Sequence, residues 1–199
     1  MYIYLIRHPP PSGTDGQCYG RLDVAVTAQA MDDAAQAVSA QIPGERLDDA
    51  RIYCSPSSRC VGLARRIASP REPEPAEDLM EMNFGQWQGL AWDAVPREEI
   101  DAWAKDLWQY RPGGGESAEM VAARWQRWVA QLPRNDGATV VAVTHAGVIR
   151  VALARSGRFD RDAALMAPIP FGSVHCLELP PHEEVSAETF AEEALTTWV

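Results

Sequence analysis

Two histidines and two arginines are placed where they could do chemistry together. His8 directly follows the apolar run Tyr2 to Ile6, and His145 directly follows Val140 to Thr144. If both runs are parallel strands, both imidazoles stand at strand C-terminal ends, where open α/β sheets place their ligands. Arg7 precedes His8. Arg59 follows a third strand-like run, Arg51 to Cys54, through Ser55-Pro56-Ser57-Ser58, and would reach the same rim. Two arginines and two histidines so arranged could surround a dianion. Arginine suits that task because its planar fork gives paired hydrogen bonds to phosphate oxygens, and the chain holds a single lysine, Lys105. Taken singly, each residue reads more simply as a surface arginine or a satisfied histidine; their convergence on strand ends outweighs that reading.

These positions depend on the elements that carry them. The runs at Tyr2 and at Thr139 to Thr144 are β-prone, and the second is apolar on both faces, as suits the middle of a covered parallel sheet. Between them, Thr27 can cap a helix with Met31, Ala34, Ala35, Val38 and Ile42 at three-and-four spacing, stopped by Pro43-Gly44. Arg59 to Ala68 predicts a second helix with Val61, Ala64 and Ile67 inward, ending near Pro70. Arg71 to Glu77, rich in Pro and Glu, reads as a surface connector. The Trp-rich stretch Leu79 to Gly115 has helical signals and little strand signal, and predicts an inserted helical flap. Ser117 can cap a further helix with Val121, Trp125, Trp128, Val129 and Leu132 on one face, ended by Pro133. The strand at Thr139 then leads through His145-Ala146-Gly147 into an apolar helix, Val148 to Arg155, and Val174 to Leu179 can add a last strand.

Composition bounds the alternatives. At 199 residues, one domain with an elaboration is expected, and 46% apolar content supplies its core. Against 28 acidic residues stand 18 basic ones, a net charge of −10 that opposes sequence-independent binding to nucleic acid or an anionic membrane. No apolar run approaches the roughly 20 residues of a membrane span. Cys18, Cys54, Cys60 and Cys176 lie scattered, which suits buried, reduced thiols in a cytoplasmic protein. The acidic stretch Glu183 to Glu193 reads as a solvated surface segment. Nothing in the pattern sets an oligomeric state.

Four ordered motifs resemble the histidine phosphatase superfamily, which includes the phosphoglycerate mutases: Leu5-Ile6-Arg7-His8, Ser55-Pro56-Ser57-Ser58-Arg59-Cys60, Glu81-Met82-Asn83-Phe84-Gly85-Gln86-Trp87-Gln88-Gly89, and Val143-Thr144-His145-Ala146-Gly147-Val148-Ile149-Arg150. Gly115-Glu116-Ser117 resembles the family's Gly-Glu-Ser helix start. Within the family, Cys18-Tyr19-Gly20-Arg21-Leu22-Asp23, the Trp92 to Trp103 stretch and Tyr110 to Ser117 are most similar to the α-ribazole phosphatases of cobalamin nucleotide-loop assembly. The fold then expected is a three-layer α/β sandwich in residues 1–199, with a mostly parallel central sheet, helices on both faces, and the flap of about 79–115 over the strand C-terminal ends.

The resemblance implies His8 as nucleophile, Arg7, Arg59 and His145 as the phosphate pocket, and Glu81 as proton donor, with no metal or other cofactor required. Neutral His8 would form a phosphohistidine, the cations would hold the equatorial oxygens, and Glu81 would serve the leaving alkoxide and then the attacking water. Tyr19, Ala146 and Trp87 are added as substrate contacts, the last because an aromatic flap could stack on a base. Asp78 and Glu77 are the alternative acids. Pro9 and Pro11 depart from the family's usual Arg-His-Gly and following hydroxyl, removing two N–H donors and one side-chain oxygen. A small phosphorylated substrate is expected, with α-ribazole 5′-phosphate first. A broad small-ester phosphatase, a phosphoglycerate mutase, or a silent phospho-ligand binder are the rivals.

Other chemistries fit less well. Cys54 and Arg59 are separated by four residues, one fewer than the loop of cysteine-dependent phosphatases needs. His175 and His182 lack ligand-spaced partners beyond Cys176. Gly113-Gly114-Gly115 lacks the Lys-Ser/Thr of a nucleotide loop.

Overall fold

The computed structural model describes residues 1–133 and 137–179. The acidic stretch Glu183 to Glu193 and His182 lie outside the described residues. Five strands form one sheet: β1 (Tyr2–Arg7), β2 (Arg51–Cys54), β3 (Glu74–Pro75), β4 (Thr139–Thr144) and β5 (Val174–Glu178), in the order β3-β2-β4-β1-β5. β4 is parallel to β1 and β2, and β2 to β3, whereas β5 runs antiparallel along β1.

Side-chain alternation explains the layering. Ile3, Leu5, Val140 and Ala142 face one way and join a core with α5 (Ala118–Gln131) and α6 (Ala146–Arg155). Tyr4, Ile6, Val141 and Val143 face the other way and meet α1 (Ala28–Gln41) and α3 (Ser58–Ala68). Every residue of β4 is buried, so the strand has no polar face to offer water. Thr27 and Ser117 cap α1 and α5 by accepting the N–H of Ala30 and Met120.

Several details depart from expectation. Pro43-Gly44 stops α1 but opens a five-residue helix, α2 (Gly44–Asp48). The connector after α3 contributes β3, whose two residues pair with Tyr53 and Cys54. A short helix, α7 (Arg161–Met166), precedes β5, capped by Asp160. Cys18, Cys54 and Cys60 are buried, but Cys176, on the edge strand β5, is exposed.

The insert is less helical than its composition suggests. One α-helix, α4 (Arg97–Lys105), is accompanied by single 3₁₀ turns at Gly85–Trp87, Trp92–Ala94 and Pro112–Gly114. Gly and Pro interrupt it too often for longer helices; Gly85 and Gly113 both take positive φ, and their backbones pass so close that a Cβ on Gly85 would lie 2.1 Å from Gly113 O. The insert also pairs with the loop after β1, through Cys18 N–H to Leu90 O at 2.9 Å and Trp92 N–H to Gly16 O at 2.8 Å. That loop and the insert together wall a cavity of about 600 Å³.

Candidate active site

The strand ends bring His8, Arg59 and His145 together as a buried cluster that does not itself line the cavity: His8 lies against Tyr19 and Phe171, which do, with ring centroids 6.3 and 5.6 Å away. His8 leaves β1 with its N–H donated to Thr144 O at 3.1 Å, and the residue is buried. Its Nδ1 lies 2.7 Å from Pro9 O, and since a carbonyl only accepts, Nδ1 carries the proton and Nε2 keeps its lone pair. Position 9 supplies a carbonyl here, which proline retains, so the departure from glycine leaves this bond intact. Burial pushes the imidazole down to about 3, reinforced by Arg59, so His8 is neutral at neutral pH.

Arg59 enters from the first turn of α3 and is fully buried. Its Nε donates to His8 Nε2 at 3.3 Å, Nη1 to Leu22 O at 2.8 Å, and Nη2 to Gly20 O at 2.7 Å and His145 Nδ1 at 3.3 Å. Because the guanidinium can only donate, His145 Nδ1 accepts, leaving Nε2–H for Ser55 Oγ at 2.8 Å. Burial, with the nearby His8 and Arg59, holds His145 well below the usual imidazole range. The two imidazole centroids are 5.1 Å apart.

Arg7 completes the cluster from the end of β1. Its Nη1 donates to Ile169 O, its guanidinium lies 3.6 Å over the Phe171 ring, and its Nε is buried without a partner. An unsatisfied buried N–H costs about 1 to 3 kcal/mol, which an incoming anionic oxygen would offset. Tyr19 also lines the cavity; Arg59 stands 5.3 Å from its ring centroid, and burial raises its hydroxyl against the opposing pull of Arg7.

Glu81 is buried on the cavity wall beside Ala146. Its Oε1 accepts the N–H of Met82 at 2.9 Å and of Gly147 at 3.1 Å, at the start of α6. Gly147 is needed for this approach, since a Cβ there would stand 2.4 Å from Oε1. Asp78, the alternative acid, is instead paired with Arg127 at 2.8 Å.

Trp87 corrects the sequence reading. It is 2% exposed, packed with Cys18 and Val95, and its Nε1–H goes to Glu99 at 2.7 Å, so it belongs to the insert's own core. Phe84, Trp92 and Trp103 line the cavity in its place, with Ile100 and Leu107. Counting aromatics could not tell which ring turned inward. Among the wall residues that escaped notice are Phe171, between the last predicted helix and the last predicted strand, and Arg150, which closes the last motif and anchors its Nε to Ala167 O at 2.9 Å.

The sequence profile of the histidine phosphatase superfamily (branch 1) matches residues 3–190. The adenosylcobalamin/α-ribazole phosphatase of Escherichia coli K12 is 28% identical over 163 residues, 78% of each chain. A metal-independent phosphoserine phosphatase of Arabidopsis thaliana is 29% identical over 157 residues, 74% of this chain and 65% of that protein. In structure, the α-ribazole phosphatase of Shigella flexneri superposes with a TM-score of 0.75 at 23% identity, covering 90% of this chain and 91% of the other.

Proposed function

The chain belongs to the histidine phosphatase superfamily (branch 1) and is a phosphatase; from that premise we propose that it hydrolyses phosphate monoesters through a phosphohistidine at His8, with α-ribazole 5′-phosphate as its substrate. The observation that carries the mechanism is the tautomer lock, in which Pro9 O holds the Nδ1 proton and turns the Nε2 lone pair toward Arg59.

An arriving phosphoryl group replaces the imidazole as acceptor of the Arg59 Nε–H and satisfies the unpartnered Arg7 Nε–H. Its negative charge opposes the burial that keeps His145 neutral, so that the proton of a monoanionic ester can pass to Nδ1, which donates it back to an equatorial oxygen. His8 Nε2 attacks phosphorus in line; the P–O bond to the leaving group breaks, and its electron pair takes the proton of Glu81. Water then gives that carboxylate a proton while its oxygen attacks phosphorus, which releases phosphate and returns His8 to the neutral form. The whole chain acts as one domain, residues 1–199, with the insert of 79–115 over the site.

Two features support the substrate. The wall of Phe84, Trp92, Ile100, Trp103 and Leu107 offers apolar surface to a flat base beside the phosphate floor. Among the described residues the cations of the wall are Arg7 and Arg150, while Arg97 pairs with Asp101 and Arg111 with the carbonyls of Gly114 and Gly115. That is too few for a mutase substrate carrying a carboxylate and a phosphate as well as the transferred group. The similarity to the Escherichia coli enzyme points the same way.

Acid-quenched reaction with labelled phosphate ester is expected to trap label on His8, and His8→Ala to lose both the label and turnover. Label on another residue, or an active His8→Ala variant, overturns the mechanism.

A further inference from the structure

The loop that carries Glu81 has little secondary structure of its own, yet side chains from elsewhere hold its backbone at four points. Thr144 Oγ1 donates to Leu79 O at 2.7 Å, Arg124 Nη1 to Asp78 O at 2.6 Å, and Arg21 Nε to Glu81 O at 2.9 Å. Asn83 N–H donates to Glu116 Oε2 at 2.9 Å. Glu116 joins three of these ties. Its Oε1 accepts Arg124 Nε at 3.1 Å, and its Oε2 accepts Arg124 Nη2 at 3.2 Å and Arg21 Nη2 at 3.0 Å. Its own N–H donates back to Asn83 O at 2.7 Å. A glycine at 115 permits this crossing, since a Cβ there would lie 1.9 Å from Asn83 O. Glu116 does not line the cavity.

We infer that Glu116 is a positioning residue for the proton transfer: by clamping Arg21 and Arg124 it fixes the backbone from which Glu81 reaches the leaving oxygen. This rests on the proposed role of Glu81. The physical reason is charge. Arg124 is buried, its side chain 6% exposed, and burial depresses its charged form, which Glu116 counters. Without the carboxylate the two guanidiniums face each other uncompensated. Arg21, 30% exposed, is the one free to swing to water, and in doing so it releases the carbonyl of Glu81 itself. Arg59 takes its carbonyl acceptors from Gly20 and Leu22 on either side of Arg21, but the backbone N–H of Arg21 is held by Gln88 Oε1 at 2.9 Å, so the side chain can leave without moving those carbonyls.

The test is leaving-group dependence. kcat/KM reports steps up to departure of the leaving group, and p-nitrophenolate departs without protonation whereas an alkoxide does not. Glu116→Gln is expected to lower kcat/KM for a nucleoside 5′-monophosphate on the order of 10²-fold, the scale of a small misplacement of a reacting group. p-Nitrophenyl phosphate should be nearly unaffected. Arg21→Gln should do the same, and it carries the test on a partly exposed residue if Glu116→Gln does not fold. Glu81→Gln should show the same selectivity, and adding Glu116→Gln to it should cost little more. Equal losses on both esters in the Glu116 and Arg21 variants, with Glu81→Gln still selective, would make the clamp merely structural and overturn the inference alone. An unselective Glu81→Gln would remove the acid role of Glu81, and this inference with it.

Discussion

His8, Arg59 and His145, a buried floor behind the lining of the cavity, are each fixed by a regular element, whereas in the wall from Phe84 to Leu107 only Ile100, Trp103 and Ala104 ride on an α-helix, α4, and the rest hangs on loop backbone tied down by side chains. His8 and His145 end adjacent strands paired in register, Arg7 opposite Thr144, and Arg59 sits in the first turn of α3, on the face that helix buries against the sheet. The wall depends instead on close passage of glycine backbone and on bonds such as Trp87 Nε1–H to Glu99. The floor is therefore rigid and indifferent to what the phosphate is attached to. The wall can be changed residue by residue without disturbing the sheet, so it is the natural seat of specificity.

If this division is right, the largest losses come from the floor and are the same for every ester. Arg59→Ala is expected to lower kcat/KM on the order of 10³-fold, by removing buried donors to the transferred group. The comparison breaks if the loss differs markedly between p-nitrophenyl phosphate and a nucleotide, for then Arg59 would act on the leaving group.

At the junction of floor and wall stands Gly147. Its φ is not positive, so alanine suits the helix, but the added Cβ meets Glu81 Oε1 at 2.4 Å and must push the carboxylate off the Gly147 amide. Gly147→Ala should fold normally and lose on the order of 10²-fold in kcat/KM on alkyl esters, with p-nitrophenyl phosphate far less affected. Equal kinetics on both esters would show that the carboxylate's seat is unimportant.

The same contrast governs what the sequence disclosed. β1 and β4 were legible because burial on both faces leaves an unbroken apolar run, and the residues that end such runs are thereby placed in space. β3 was not, because Glu74 and Pro75 carry no apolar pattern and owe their strand geometry to pairing with β2. α7 was missed for its brevity, although Asp160, which accepts the N–H of Asp162 and Ala163, offered a capping signal. The wall was the least legible. Nothing along Glu81 to Glu99 says that Trp87 would turn inward to a carboxylate twelve residues on while Trp92 faced the cavity.

The floor also predicts a pH dependence of stability. In the unfolded chain His8 titrates near 6.5, and in the folded protein it takes a proton only near 3. Its folded value is depressed, so the unfolded state binds more protons between these limits, and stability falls as pH drops from about 6.5 toward 3. At pH 5 the difference of about 1.5 units corresponds to on the order of 2 kcal/mol, or roughly thirtyfold in the folding equilibrium. Urea unfolding of wild type should show at least that loss between pH 8 and pH 5, since the buried His145 adds to it with the same sign, and His8→Gln should show a flatter profile that keeps the share of His145. A His8→Gln profile as steep as that of wild type would mean the imidazole is not held neutral by burial.

The smallest effect belongs to the wall, and it is the one that bears on the substrate. Trp92 is 38% exposed and lines the cavity, its ring stacked on that of Trp103 at a centroid distance of 6.4 Å and 13° between planes. Removing it leaves the insert's core of Trp87, Cys18 and Val95 in place. Stacking of a base on an aromatic side chain contributes about 1 to 3 kcal/mol, so Trp92→Ala should cost roughly tenfold in kcat/KM for α-ribazole 5′-phosphate. Phosphoglycerate and small sugar phosphates have no flat apolar group to use that surface, so wild type should favour α-ribazole 5′-phosphate over them, and the variant should lose that preference without losing the small esters. A wild-type enzyme that turns over the small phosphates as well as or better than α-ribazole 5′-phosphate would detach the wall from substrate choice, while leaving His8, Arg59 and His145 to their chemistry.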